Sequence, residues 1–179
     1  PTIRATLAPQ ELAAALDAPT LVYQDANIRV LAITNDHYHF PPGSALAVAA
    51  RSYAFRIETA GRTIVYTGDS GPSAHLQTLA AGSDLLISEV IDMQAMAAVL
   101  ARASDIPPAA RAPMMAHMAQ DHLTPDNVAR LAAAAGVKRV VLTHLSPGMD
   151  DEVSIDGYTA GMAAIYSGPV LVANDLDRF

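Results

Sequence analysis

Three apolar runs in this chain end in the same way. Val30-Leu31-Ala32-Ile33-Thr34 leads through Asn35-Asp36 to His37, Ile64-Val65-Tyr66-Thr67 leads through Gly68 to Asp69, and Val140-Val141-Leu142-Thr143 leads directly to His144. Each ending places a metal-capable side chain just past the carboxyl end of a β-strand. In open α/β sheets ligands collect at that edge, because the connecting loops leave a crevice while the strands hold their ends rigidly. Imidazole and carboxylate are ordinary ligands of zinc and also suit manganese or iron, and a carboxylate has two oxygens with which to bridge a metal pair. A bridged pair activates water and clamps the oxygens of a displaced ester. The chain has no cysteine, so a metal here must sit on histidines and carboxylates.

The elements that position these residues follow from periodicity. Thr20–Tyr23 and Ile28–Thr34 are β-rich runs around the turn residues Asp25-Ala26-Asn27, which predicts a hairpin. Ser52–Glu58 alternates apolar and polar residues, Ala60-Gly61-Arg62 supplies a turn, and Thr63–Thr67 completes a second hairpin. Helices and strands then alternate. Pro72–Ala81 reads as a helix, Asp84–Ser88 as a buried strand, and Asp92–Ala103 as a helix ending before Pro107-Pro108. Thr124-Pro125 provides an N-cap and a proline at the first helical position, and Gly136 stands where a left-handed terminus is wanted. Arg139–Thr143 reads as a strand, Gly157–Ile165 as a helix and Pro169–Ala173 as a last strand. Antiparallel hairpins followed by alternation predict a mixed sheet covered by helices, an α/β fold, or α+β by a stricter definition.

At 179 residues, with 51% hydrophobic and 16% charged residues, the chain is expected to form a single domain over residues 1–179 rather than a disordered polymer. Its formal charge of −7 opposes non-specific attraction to nucleic acid and to anionic membranes. No apolar run approaches the ~20 residues of a membrane span, and no basic head with an apolar run follows Pro1. A chain beginning with Pro rather than Met suggests a start that is processed or incompletely observed. The compartment is left open, with cytoplasmic preferred to periplasmic.

Val65-Tyr66-Thr67-Gly68-Asp69-Ser70, Asp84-Leu85-Leu86-Ile87-Ser88-Glu89 and Val141-Leu142-Thr143-His144-Leu145-Ser146-Pro147 together resemble the metallo-β-lactamase superfamily, in its ribonuclease Z and phosphodiesterase branch. The resemblance runs from about Ile28 to Pro147 and implies an αββα sandwich, of which this chain would supply roughly the C-terminal half. It implies that Asp69 bridges two metals, that His144 binds one of them and that His37 is the preceding ligand. The metals would be zinc, two in number, with manganese or iron as alternatives. It further implies that His122 protonates the leaving oxygen with Glu89 orienting it.

The match has departures. Ser88, Val90 and Ile91 replace the other members of the family's His-Glu-Ala-Thr block, and Gly148 replaces a basic residue often found after Ser-Pro. The superfamily's His-x-His-x-Asp-His run is absent, since Phe40 and Pro41 follow His37-Tyr38-His39. A missing N-terminal half carrying further ligands is therefore expected, as a partner to this chain within the same fold, alongside a homo-oligomer. The implied activity is attack of a metal-bridging hydroxide on a phosphodiester or related ester. The charge favours a small-molecule ester over nucleic acid. A lactonase or sulfatase, and a non-catalytic half-domain that needs a partner chain, are the alternatives.

Blander readings stand beside these. Asp69 suits a turn or N-cap, His122 suits a helix start with a local hydrogen bond, and Glu89 suits a surface position. His75 and His117 are expected to be solvated or structural. Met93, Met96, Met114, Met115 and Met118 are expected to fill a core, and Asp150-Asp151-Glu152 to start a helix.

Overall fold

A computed structural model describes residues 9–12, 15–148 and 154–179. Seven strands form one sheet in chain order: β1 (Thr20–Gln24), β2 (Ile28–Thr34), β3 (Tyr53–Thr59), β4 (Thr63–Tyr66), β5 (Leu85–Ile91), β6 (Val140–Ser146) and β7 (Val170–Val172). The first four strands pair antiparallel and the remaining neighbours pair parallel. This is the mixed sheet expected from hairpins followed by crossovers. Five helices accompany it among the described residues: α1 (Ala45–Ala49), α2 (Ala74–Ala80), α3 (Met93–Arg102), α4 (Pro108–Asp121) and α5 (Pro125–Ala135).

The register separates two rows of side chains across the sheet. Leu31, Arg56, Val65, Leu86, Val140 and Val170 are successive partners, and therefore share a face. Val65, Leu86 and Val140 are fully buried there with Leu76 and Leu79 of α2 and Val128 and Leu131 of α5. Arg56 lies on this face without an unsatisfied charge, because its guanidinium donates to the carbonyls of Leu79 and Ala81 at the end of α2. The neighbouring row runs Ala32, Phe55, Tyr66, Ile87, Val141 and Leu171. Tyr66 and Leu171 in that row remain 40% and 39% exposed.

A smaller core lies under α3 and α4. Ile91, Met96 and Leu100 are buried with Met93, Met114, Met115 and Met118 packed around them, as expected for gap-filling methionines. Helix α4 occupies the stretch after Pro107-Pro108 for which the sequence predicts no element, and Pro113 stands inside it. Proline there removes one hydrogen bond early in the helix, which the fourteen-residue length and the methionine contacts tolerate. The helix expected over Gly157–Ile165 is instead two short 3-10 turns, Asp156–Thr159 and Met162–Ala164. Gly161 between them has a φ of +76°, which ends the first turn before an α-helix can propagate. Asp150, Asp151 and Glu152 lie outside the described residues. No helix of the described residues is long and apolar enough to cross a membrane.

The parallel strands are locked at the edge opposite the candidate ligands by Asp84. Its carboxylate accepts from Thr63 N at 2.7 Å and from Lys138 Nζ at 2.7 Å, which joins the starts of β4, β5 and β6. The Lys138 ammonium, aided by the Thr63 amide, holds the carboxyl below the usual range. A lowered value means that the contribution exists above the unfolded pKa and is lost as the pH falls through the folded one. Asp84→Asn is therefore expected to lower the urea midpoint at neutral pH, with the gap to the wild type narrowing as the pH falls below the ordinary carboxylate range; a gap that stays constant through that range would exclude this linkage. Leu86→Ala, at the fully buried centre of the sheet, is expected to cost about 2–5 kcal/mol in the same measurement.

Candidate active site

The carboxyl ends of β2, β4 and β6 meet as their sequences suggested. After β4 the chain turns through Gly68, whose φ is +60° and where a Cβ would stand 3.0 Å from the Tyr53 carbonyl, so only glycine fits without strain. The turn is fastened by its main chain. Asn35 Nδ2 donates to the carbonyls of Thr67 and Asp69 at 2.8 and 3.0 Å, and Ser52 Oγ to that of Asp69 at 3.4 Å. The Asp69 carboxylate is left for other partners, and it caps no helix.

One of those partners is His144, whose Nε2 lies 3.2 Å from Asp69 Oδ2. His144 reaches it through a β-bulge. Ser88 pairs with Leu142 but Val90 pairs with Leu145, so β6 carries one residue more than β5 across this stretch. His144 sits in the bulge with a φ of +46°, a left-handed conformation that costs a non-glycine residue about 1–3 kcal/mol. Its side chain is 58% exposed, so no packing gain explains the strain.

His37 and His122 complete the cluster. One ligand atom from each of His37, Asp69 and His122 lies within 4.8 Å of the others. His37 Nδ1 donates to the carbonyl of Asp121 at 3.1 Å, which leaves Nε2 as the nitrogen with a free lone pair. His122 Nδ1 is held at 2.9 Å by Glu89 Oε2. This hydrogen bond raises the imidazole pKa above its ordinary value, against the lowering effect of burial and with help from the Glu89, Asp69 and Asp121 charges. Glu89 is only 1% exposed, and its second oxygen accepts from Ser70 N at 2.7 Å. It is a buried organising carboxylate rather than a surface one, and the bond to His122 spans the fold rather than a helix start.

The donor set fits a metal of the zinc type. His37 and His122 each have Nδ1 engaged by an acceptor, which leaves Nε2 as the outward nitrogen, beside the Asp69 carboxylate, one oxygen of which has His144 Nε2 at 3.2 Å. All five residues singled out in the sequence, His37, Asp69, Glu89, His122 and His144, are gathered here. His122, expected to serve as a proton donor rather than a ligand, has a ring nitrogen within 4.8 Å of ligand atoms of His37 and Asp69.

Residues 7–145 match a family described as Beta-lactamase superfamily domain. The chain belongs to the metallo-β-lactamase superfamily. Within it, the chain falls in the ribonuclease Z-like branch. It is 32% identical over 129 residues to a ribonuclease Z of Mycobacterium tuberculosis, covering 69% of this chain and 41% of that protein. It spans about half, or less, of the length of the curated relatives it matches. Among solved structures it resembles the metallo-β-lactamase fold protein YhfI from Bacillus subtilis, with a TM-score of 0.57 at 22% identity over 88% of this chain and 50% of that one. It also resembles the Zn(2+)-bound PqqB from Methylobacterium extorquens, with a TM-score of 0.55 at 14% identity over 90% of this chain and 54% of that one. These likenesses bear out the fold expected from the three sequence blocks.

Sequence reasoning missed Asp121, Asn35 and Gly71. At Gly71 a Cβ would collide with the Gln120 carbonyl, so this glycine lets the turn after β4 pass against the end of α4. The signal available was the Gly-Asp-Ser-Gly run itself, whose second glycine no turn type required. His75 is structural as expected, with Nδ1 donating to the Thr34 carbonyl at 2.8 Å.

Removing Glu89 would leave the Ser70 amide and the His122 ring without acceptors in a buried setting. Glu89→Ala is expected to destabilise the protein by about 1–3 kcal/mol in urea unfolding, with Glu89→Gln recovering part of the loss. No change in either variant would contradict the organising role.

Proposed function

We propose that this chain carries the C-terminal part of a metal-dependent phosphodiesterase acting on RNA, with His37, Asp69 and His144 as ligands of zinc and His122 with Glu89 as its proton-handling pair. The observation that carries the reading is the convergence of the Asp69 carboxylate with His37, His122 and His144 at one sheet edge. When bound, zinc supplies Lewis acidity toward a phosphoryl oxygen and lowers the pKa of water. Asp69 would hold such an ion together with His37 and His144, as the superfamily resemblance implies.

The chain's own residues account for the rest. Glu89 accepts from Nδ1 of His122, so the ring is fixed in orientation and Nε2 is the nitrogen left to give a proton to the leaving oxygen. The Asn35 and Ser52 bonds to the Asp69 main chain keep the carboxylate still without occupying it. The exposed His144 and half-exposed Asp69 leave the site open toward solvent, as a polymeric substrate needs.

RNA is preferred to a small ester because the curated relatives matched here carry the name ribonuclease Z. The small-molecule ester favoured by the charge of −7 finds no support among them. That charge still has a consequence. Few surface cations are available for long-range neutralisation of phosphates, so affinity should fall less steeply with salt than it does for a basic nuclease. The activity is assigned to the whole fold, including the segment that would bear the superfamily's His-x-His-x-Asp-His run.

The test is metal content with intact mass on the purified protein, together with hydrolysis of bis(p-nitrophenyl) phosphate and of a short RNA. Asp69→Ala and His144→Ala are each expected to lose bound zinc and to lower kcat/KM by more than about 100-fold, since even outer-shell losses cost 10–100-fold. Zinc-loaded protein that cleaves neither substrate would overturn the phosphodiesterase reading. Asp69→Ala with unchanged metal content would overturn the ligand assignment.

A further inference from the structure

Asp121 closes helix α4 in a place where a carboxylate gains nothing for the helix. It stands at the C-terminal end, where the macrodipole is negative, and its side chain is only 4% exposed. A buried charge at a helix C-terminus is unfavourable unless hydrogen bonds compensate for it. The compensation comes from histidines. Oδ1 accepts from His39 Nδ1 at 2.7 Å, the main-chain carbonyl accepts from His37 Nδ1 at 3.1 Å, and His117 Nδ1 lies 2.8 Å from Oδ2 as an ion-pair neighbour.

We infer that Asp121 is a positioning residue for the candidate metal centre, clamping the His37–His39 loop to the end of α4 and fixing the His37 ring with its Nε2 lone pair free for a metal. The inference rests on the ligand assignment proposed above for His37. Three features of the geometry carry it. The carbonyl oxygen can only accept, so the Nδ1 bonded to it must bear the hydrogen, which makes Nε2 the basic nitrogen that ligation requires. The carboxylate grips His39 two residues further on, so the loop is held at both histidines by a single residue. His117, one helical turn before Asp121, takes the other oxygen and keeps the carboxylate from rotating away from His39. The close passage of Gly71 beside Gln120 brings the turn that carries Asp69 against the same helix end. Asp121 thus sits where the loop bearing one candidate ligand and the turn bearing another are joined.

The test uses the metal-free full chain and a readout that general stability does not move. Long-range proton–nitrogen correlation spectra of the histidine rings are expected to show His37 as a single tautomer with hydrogen on Nδ1. Asp121→Ala keeps the main-chain carbonyl but removes the His39 clamp that holds His37 against it, so the preference is expected to weaken to a mixture of tautomers, and cobalt(II), followed by its visible absorption, is expected to bind about 10–100-fold more weakly. Asp121→Asn should fall between the two, since one oxygen remains. His117→Ala, an exposed substitution, should remain folded with a smaller loss, and these two variants carry the test if Asp121→Ala does not fold. Folded variants with an unchanged His37 tautomer and a cobalt affinity within about twofold of the wild type would overturn the inference, because losing a hydrogen-bond partner that orients a ligand costs more than that. If the wild type binds no cobalt, the ligand assignment fails, and the tautomer spectra still decide whether Asp121 sets the His37 ring.

Discussion

A carboxylate that is nearly inaccessible to water must have both oxygens satisfied, and the way Glu89 meets this requirement orders the site around it. One oxygen takes the amide of Ser70 and the other the ring of His122. The first bond fixes the turn after β4, the second fixes the segment between α4 and α5, and the residue itself belongs to β5. Parallel pairing makes this arrangement possible. Tyr66 partners Ile87, and Thr67 N continues the ladder to the Ile87 carbonyl, so the turn that starts at Gly68 arises just where Glu89 can reach it. A one-residue slip of β4 against β5 would turn every side chain to the other face and abolish the site together with the core.

The same pairing explains the strain at His144. Across from Glu89 the strand β6 carries its extra residue, and a bulge at that point re-aims a side chain that regular pairing would have directed elsewhere. The sheet therefore supplies a buried carboxylate from one strand and an exposed imidazole from its neighbour within one irregular step. Asp69 lies between them in function. Its main chain is tied down by Asn35 and Ser52, whereas its side chain has an imidazole as neighbour and free acceptor capacity. Stabilisation of the loop rests on the Asp69 main chain, and the carboxylate itself is not spent on it.

Much of this was legible in the sequence where the signal was local. Turn residues between alternating runs marked both hairpins, Thr124-Pro125 and Gly136 marked α5, and the capping box at Thr124 with Asn127 is present in the structure. Three strand-terminal residues marked the edge at which the site forms. What escaped depends on pairs that sequence distance conceals. The bulge at His144 exists only relative to β5, so nothing within Leu142-Thr143-His144 announces it. Asp121 meets His39 across 82 residues, and an aspartate ending a methionine-rich helix gives no hint of that partner. The sequence predicts no element between the break at Pro107-Pro108 and Thr124, and α4 holds there through tertiary contacts despite Pro113. The helix expected over Gly157–Ile165 does not form because Gly161 adopts a backbone that no α-helix accommodates.

The two cores contribute unequally to the precision of the site. His37, Asp69 and His144 hang from strands embedded in the larger core, whereas His122 follows α4, whose buried contacts are largely methionines that adapt to many arrangements. An imidazole placed only by such a helix would inherit its looseness. The chain avoids this by anchoring the residue after it. Leu123 is fully buried in the larger core, its carbonyl accepts from Ile91 N at 2.9 Å, and Thr124 begins the capped helix α5. His122 is held from behind by the sheet and by α5, and from the side by Glu89.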